Sequence, residues 1–200
     1  MAPQLYLITP PNAEPDSITT TLMAVLSAAQ FSALLVARGT MDDAAYAKLA
    51  AVAINVGQGA GCAVLIEDDI ALAKRLGADG IHVTEGPVAL KAAVAALKPA
   101  MIVGAGNLHS RHDAMTSGEM DIDYVFFGST DGKADATAAD LADWWAQTFE
   151  VPAVLSQPDA NAETANASGA EFLALSHSLW HAPEPAKAMQ AIAATLGVSA

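Results

Sequence analysis

Eight times along this chain a short apolar run is followed by a longer, alanine-rich amphipathic stretch. The runs are Leu5–Ile8, Ala33–Ala37, Ala63–Ile66, Gly80–Val83, Met101–Gly104, Tyr124–Gly128, Pro152–Leu155 and Phe172–Leu175. They do not alternate apolar with polar residues, so each reads as a strand covered on both faces, as in a parallel sheet. The stretches between them predict helices over 16–29, 42–57, 67–77, 87–98, 111–117, 136–149, 160–167 and 183–196. Asp16 or Ser17 is placed to cap the first helix, Glu67-Asp68-Asp69 to open the third, and Pro183 to begin the last. Units of about 20 to 25 residues fit a closed (β/α)8 TIM barrel. An open doubly wound sheet, usually of about five or six strands, would leave units over. No linker or low-complexity tract divides the 200 residues, so one α/β domain over 1–200 is expected.

Composition narrows the function. Hydrophobic residues make up 53% and charged residues 16%, which argues against disorder. Net charge is −13, and the 9 Lys and Arg residues are scattered. No basic stripe exists to neutralise phosphates, so neither nucleic acid nor an anionic membrane surface is an expected partner. No run of about 18 apolar residues predicts a membrane span, and Met1-Ala2-Pro3-Gln4 does not read as a signal segment. A cytoplasmic protein is therefore expected. The single cysteine, Cys62, reads as a buried core residue. No P-loop, dinucleotide or serine-elbow motif occurs, and Gly57-Gln58-Gly59-Ala60-Gly61 falls between a helix and a strand, the wrong context for a nucleotide loop.

A (β/α)8 barrel carries its chemistry where the strands end. The polar residues there are Thr9, Arg38, Glu67, Asp68, Thr84, Glu85, Asn107, His109, Ser129, Thr130, Asp131, Lys133, Ser156, Gln157, His177 and Ser178. From these, His177 is the expected catalytic acid or base by its place after strand 8. Arg38, Asn107, His109, Ser129, Ser156 and Ser178 are the expected contacts to a small-molecule ligand. Barrels that handle phosphate present free amides after strands 7 and 8. Here Pro158 has no amide and Asp159 repels an anion, so the usual anion cup is not expected. His82, flanked by Ile81 and Val83, reads as a structural histidine. His109 with His112, and His177 with His181, lack a third ligand placed by spacing. Trp144, Trp145 and Trp180 read as packing or subunit-contact groups, which leaves a homo-oligomer open.

The order of these strand ends resembles thiamine phosphate synthase and its relative, the thiazole tautomerase. Leu5-Tyr6-Leu7-Ile8-Thr9 resembles the family's opening strand, and Asp123-Tyr124-Val125-Phe126-Phe127-Gly128 its sixth. Asp68 through Val83, ending Leu76-Gly77-Ala78-Asp79-Gly80-Ile81-His82-Val83, matches most closely. The resemblance implies a barrel that joins a pyrimidine diphosphate to a thiazole phosphate and releases pyrophosphate with Mg2+. It also implies a catalytic role for Lys133 and a metal-ligand role for Asp68, and it shows departures. The family's Gln, Arg and Lys after strand 2 read Leu35, Ala37 and Gly39, with Arg38 beside them. Its Asn-Asp pair reads Glu67-Asp68, and its second metal carboxylate reads Pro87. Its Ser and His site is replaced by Gly106-Asn107-Leu108-His109. Its long lysine loop shortens to Ser129-Thr130-Asp131-Gly132-Lys133, and its phosphate-binding Gly-Gly reads Ser156-Gln157. A degenerate member without synthase turnover is expected. An active tautomerase-like enzyme, or a barrel enzyme with another small substrate, are the alternatives. No cofactor is certain; Mg2+ comes from the resemblance alone.

Overall fold

A computed structural model describes residues 2–198. Strands β1 (Gln4–Ile8), β2 (Phe31–Val36), β3 (Ala63–Glu67), β4 (Gly80–Val83), β5 (Ile102–Ala105), β6 (Tyr124–Phe127), β7 (Ala153–Ser156) and β8 (Phe172–Leu175) pair in parallel, each with the next. β8 returns to β1, with Leu173 opposite Leu5, and the barrel is closed. Helices α1 (Pro15–Leu26), α2 (Asp43–Gly59), α3 (Ile70–Leu76), α4 (Pro87–Leu97), α5 (Arg111–Gly118) and α6 (Ala138–Thr148) follow the first six strands. The short α7 (His177–Trp180) and the longer α8 (Pro185–Leu196) follow β8. Among the described residues no helix is long and apolar enough to cross a membrane.

Each strand is buried on both faces because its side chains alternate between two cores. Leu5, Leu34, Val64, Ile66, Val103 and Val125 pack outward with the helices. Tyr6, Ile8, Leu35, Leu65, Tyr124, Phe126 and Val154 fill the barrel interior. The interior is uneven, because Gly104 on β5 and Gly106 just after it turn inward. A Cβ at Gly104 would lie 1.9 Å from Tyr124 Cζ, and one at Gly106 would lie 2.3 Å from His82 Nε2. The empty volume on β5 is thus filled by side chains from its neighbours.

These side chains form a hydrogen-bonded chain. The Tyr6 and Tyr124 hydroxyls lie 3.0 Å apart, and Tyr124 lies 2.8 Å from His82 Nδ1. His82 Nε2 is buried without a protein partner. Burial lowers the imidazole from its ordinary 6.5 to about 3. The unfolded chain takes up this proton as pH falls through about 6.5, while the folded chain does not until about 3. The stability gained from a neutral His82 is therefore complete above about 6.5 and is lost as pH falls toward 3. Between pH 7 and pH 5 the loss should be about 2 kcal/mol. Urea unfolding at both pH values checks this: His82→Gln should lose about 2 kcal/mol less than the unmodified protein. Equal losses would refute it. Glu67, raised by burial, titrates in the opposite sense but is common to both proteins.

Several local expectations need correction. The helix predicted over 160–167 does not form; the β7–β8 connection is a string of turns. Asn161 Oδ1 accepts from the amides of Glu163 and Thr164, and Asn166 Oδ1 from that of Ser168. Gln157 accepts from the Asn166 amide and donates to the Thr164 carbonyl. These side chains replace the helical bonds. Neither Asp16 nor Ser17 caps α1: the helix begins at Pro15, and the Ser17 hydroxyl donates to the Glu14 carbonyl. The last helix begins at Pro185 rather than Pro183. Asp69 does cap α3, accepting from the Leu72 amide at 2.8 Å, but Glu67 belongs to β3 and is buried.

Two tryptophans are packing groups. Trp145 is buried, stacks on Phe149 at 4.1 Å and donates to the Val151 carbonyl. Trp180 donates its indole N–H to the Ile8 carbonyl at 2.7 Å, fastening the segment after β8 to the end of β1. Cys62 is buried, its thiol pushed up to about 11 by desolvation.

Candidate active site

Two adjoining clefts lie at the strand C-terminal ends. One, of about 400 Å³, is bounded by Thr84, Asn107, His109, Ser129, Lys133 and Asp135, among others. The other, of about 270 Å³, is bounded by Arg38, Glu67 and Asp68, among others. Thr84, Thr130 and Asp131 belong to both, so the two form one mouth across β2 to β6. Six of the expected site residues, Arg38, Asp68, Asn107, His109, Ser129 and Lys133, therefore meet there. Ser156, His177 and Ser178 line neither cleft. Ser156 is buried and donates to the Ser129 carbonyl at 2.8 Å. Ser178 turns onto the β7–β8 connection, its hydroxyl donating to the Ala160 carbonyl. His177 is exposed behind the β6 loop, with its Cβ 3.3 Å from where a Cβ on Gly132 would lie. Its ring centroid lies 4.1 Å from that of His181, with the two rings tilted by 35°. Of the two residues expected to be catalytic, only Lys133 faces the mouth.

The mouth has cations, but each is engaged. The Arg38 guanidinium pairs with Asp43 at the start of α2 and lies 5.2 Å from the centre of the Tyr46 ring. Its side chain is thus directed toward α2, and its backbone amide donates to Glu67 Oε2 at 2.8 Å. Lys133 Nζ pairs with Asp131 at 2.6 Å, and Asp131 also accepts from Ser129 and from the Lys133 amide. These bonds, that from Lys133 first, hold the Asp131 carboxyl below the usual carboxylate range. Asp135 is also held low, by the amide and hydroxyl of Thr137.

Carboxylates form much of the mouth's framework. Glu67 is buried and bridges two strand ends, accepting from the Arg38 amide and, at 2.7 Å, from the Thr130 hydroxyl. Desolvation raises its carboxyl above the ordinary value, and those two bonds offset part of the rise. Asp68, in a left-handed conformation at φ 52°, accepts from both the amide and the hydroxyl of Thr84. Asn107 donates to the Thr84 carbonyl at 3.2 Å and accepts from His109 Nε2 at 2.7 Å. His109, whose other ring nitrogen is 4.0 Å from Asp135, is the histidine of the mouth. Reading the residues missed Glu67, Thr84 and Thr130 as organising groups. The signal was present: Glu67 continues the inward face of Leu65, and Thr84 that of His82, at the period of two.

Comparison with known proteins bears on this mouth. The profile of the family described as thiamine monophosphate synthase matches residues 5–179. The chain belongs to the thiamine monophosphate synthase family. It is 35% identical to the thiamine-phosphate synthase of Hyphomonas neptunium, over 94% of this chain and 91% of that one. It is 34% identical to that of Rhodospirillum centenum, over 90% of each chain. The thiamine phosphate pyrophosphorylase from Pyrococcus furiosus superposes with a TM-score of 0.80 at 16% identity, over 97% of this chain and 95% of that one, a likeness of fold.

The thiamine monophosphate synthase family implies Mg2+, and the residues of this mouth do not fit that ion. Both Asp68 oxygens accept hydrogen bonds from Thr84, so neither is free for a metal ion. Among the described residues no group of three or more His, Cys, Asp or Glu is placed to hold a metal. Mg2+ demands near-octahedral oxygen ligation and commonly takes one or two carboxylates with substrate phosphates, so a single engaged carboxylate is a poor start.

Proposed function

We propose that this member of the thiamine monophosphate synthase family no longer performs pyrophosphate-releasing synthesis. Its mouth takes a small thiamine-precursor-like ring without the phosphates. The observation that carries this reading is the pairing of both mouth cations, Arg38 with Asp43 and Lys133 with Asp131. A diphosphate entering here would have to compete with those carboxylates and would meet Glu67, Asp68 and Asp135 as well. An uncharged or cationic heterocycle meets no such opposition. It finds donors and acceptors in Thr84, Asn107 and His109, with Glu67 fixed beside it by Thr130 and the Arg38 amide.

A second reading, that synthase activity is retained on a rearranged mouth, is favoured by the 35% identity to a thiamine-phosphate synthase over nearly the whole chain. Titration calorimetry separates the two. The pyrimidine alcohol should bind at least tenfold more tightly than its diphosphate, a difference of about 1.4 kcal/mol or more. Mg2+ should not reverse that order. Diphosphate binding that tightens with Mg2+ and exceeds that of the alcohol would support the second reading instead.

A further inference from the structure

The opposite end of the barrel holds a second cavity, remote from the mouth and independent of what the mouth binds. It has a volume of about 330 Å³ at the N-terminal ends of the strands. The bottom of the interior is open for a reason visible in the sequence. Ala33 on β2 is paired in register with Ala63 on the neighbouring β3, in a layer where such barrels favour bulky branched residues. The volume those alanines leave is walled by Tyr6, Leu65, Tyr124 and Phe172.

The cavity's chemistry is selective. The Tyr6 and Tyr124 hydroxyls are engaged with each other, and Tyr124 with His82, so both tyrosines have their polar atoms satisfied. The rim acid, Asp123, is neutralised by Lys98 at 2.7 Å and accepts from the Val103 amide. Ser32 donates to Gln4 Oε1 at 2.6 Å, which leaves the Gln4 amide N–H groups at the rim to donate. An engineered apolar cavity of about 150 Å³ accommodates benzene, so this one suits one or two fused rings.

We propose that this cavity binds a small neutral aromatic molecule, packed against Tyr6, Tyr124 and Phe172 and accepting one hydrogen bond from Gln4. Aromatic rings gain from offset or edge-to-face contact with such walls, and a charged ligand would lose its solvation without a free counter-charge.

Quinoline, neutral at pH 8 and carrying one ring acceptor, is the probe, with benzoate as the charged comparison. Saturation-transfer NMR should show saturable quinoline binding with a Kd of about 1 mM or tighter, and much weaker binding of benzoate. Ala63→Leu and, separately, Ala33→Leu should weaken quinoline at least tenfold by filling the void. The melting temperature of each shows that it folds. Lys133→Ala, at the mouth, should leave quinoline binding unchanged. On the unmodified protein, quinoline should shift the methyl resonances of Leu65 and Val154. Absent saturable binding, undiminished binding in a folded leucine variant, or shifts confined to mouth residues would each overturn the proposal.

Discussion

Gly104→Ala should destabilise the barrel by about 3 to 5 kcal/mol, a large fraction of the stability of a domain this size. The added Cβ would sit 1.9 Å from Tyr124 Cζ and 2.4 Å from its hydroxyl oxygen. No rotation of a terminal atom relieves this, because the blocking atoms belong to a rigid ring buried among Tyr6, His82 and Phe126. The ring must leave its place, which adds overpacking of about 1 to 3 kcal/mol to two broken hydrogen bonds of about 1 kcal/mol each. The origin of the cost is testable through a second change. In Gly104→Ala with Tyr124→Leu, the ring is gone, and the double variant should be more stable than the sum of the two single effects by at least 1 kcal/mol. Urea denaturation of the four proteins reads this directly. Additive effects would show that Gly104 is required for some reason other than the tyrosine.

The second large effect is catalytic. With pyrimidine diphosphate, thiazole phosphate and Mg2+, pyrophosphate release should fall at least about a thousandfold below an ordinary enzyme's ~10 per second. Departure of pyrophosphate concentrates negative charge, and positioned cations or donors that meet it are worth about 3 kcal/mol each. Here Arg38 is turned to Asp43 and Lys133 is held by Asp131, so two such groups are engaged elsewhere. A continuous pyrophosphate assay decides it. Turnover within about tenfold of ~10 per second would sink the proposed loss of synthesis. If Lys133→Ala then removed that turnover, the lysine would be shown to exchange Asp131 for substrate.

The barrel could be read from the chain because its strongest signal is repeated and local. Val64, Ile81 and Leu173 face the helices, while Leu35, Phe126 and Val154 face the interior, and both sets are apolar. Binary patterning therefore marks the strands without distinguishing their faces. The seventh helix misled because alanines at 160, 162, 165 and 167 suggest helix. Helix propensity there competes with Asn161, Asn166 and Gln157, whose side chains bond the backbone more locally. Position after a strand end placed Asn107, His109, Lys133 and Asp68 at the clefts where the structure has them. It could not reveal how Arg38 is directed, since that depends on Asp43 and Tyr46 one helix away. Ser178 and His177 follow β8 in sequence but are drawn aside by the β7–β8 connection and by each other's turn.

The indole bond from Trp180 to the Ile8 carbonyl joins positions 172 apart. During synthesis, β1 emerges with one edge unpaired, and the tryptophan that ties down its end emerges 172 positions later. At about 5 to 20 residues per second, that edge waits on the order of ten to thirty seconds. An uncovered, largely apolar strand is a template for association with other chains for as long as it waits. Ribosome-stalled fragments ending before β8 should therefore depend on chaperones, and release of the remaining segment should end that dependence. The seam of the barrel is, in this sense, a clock on its own biogenesis.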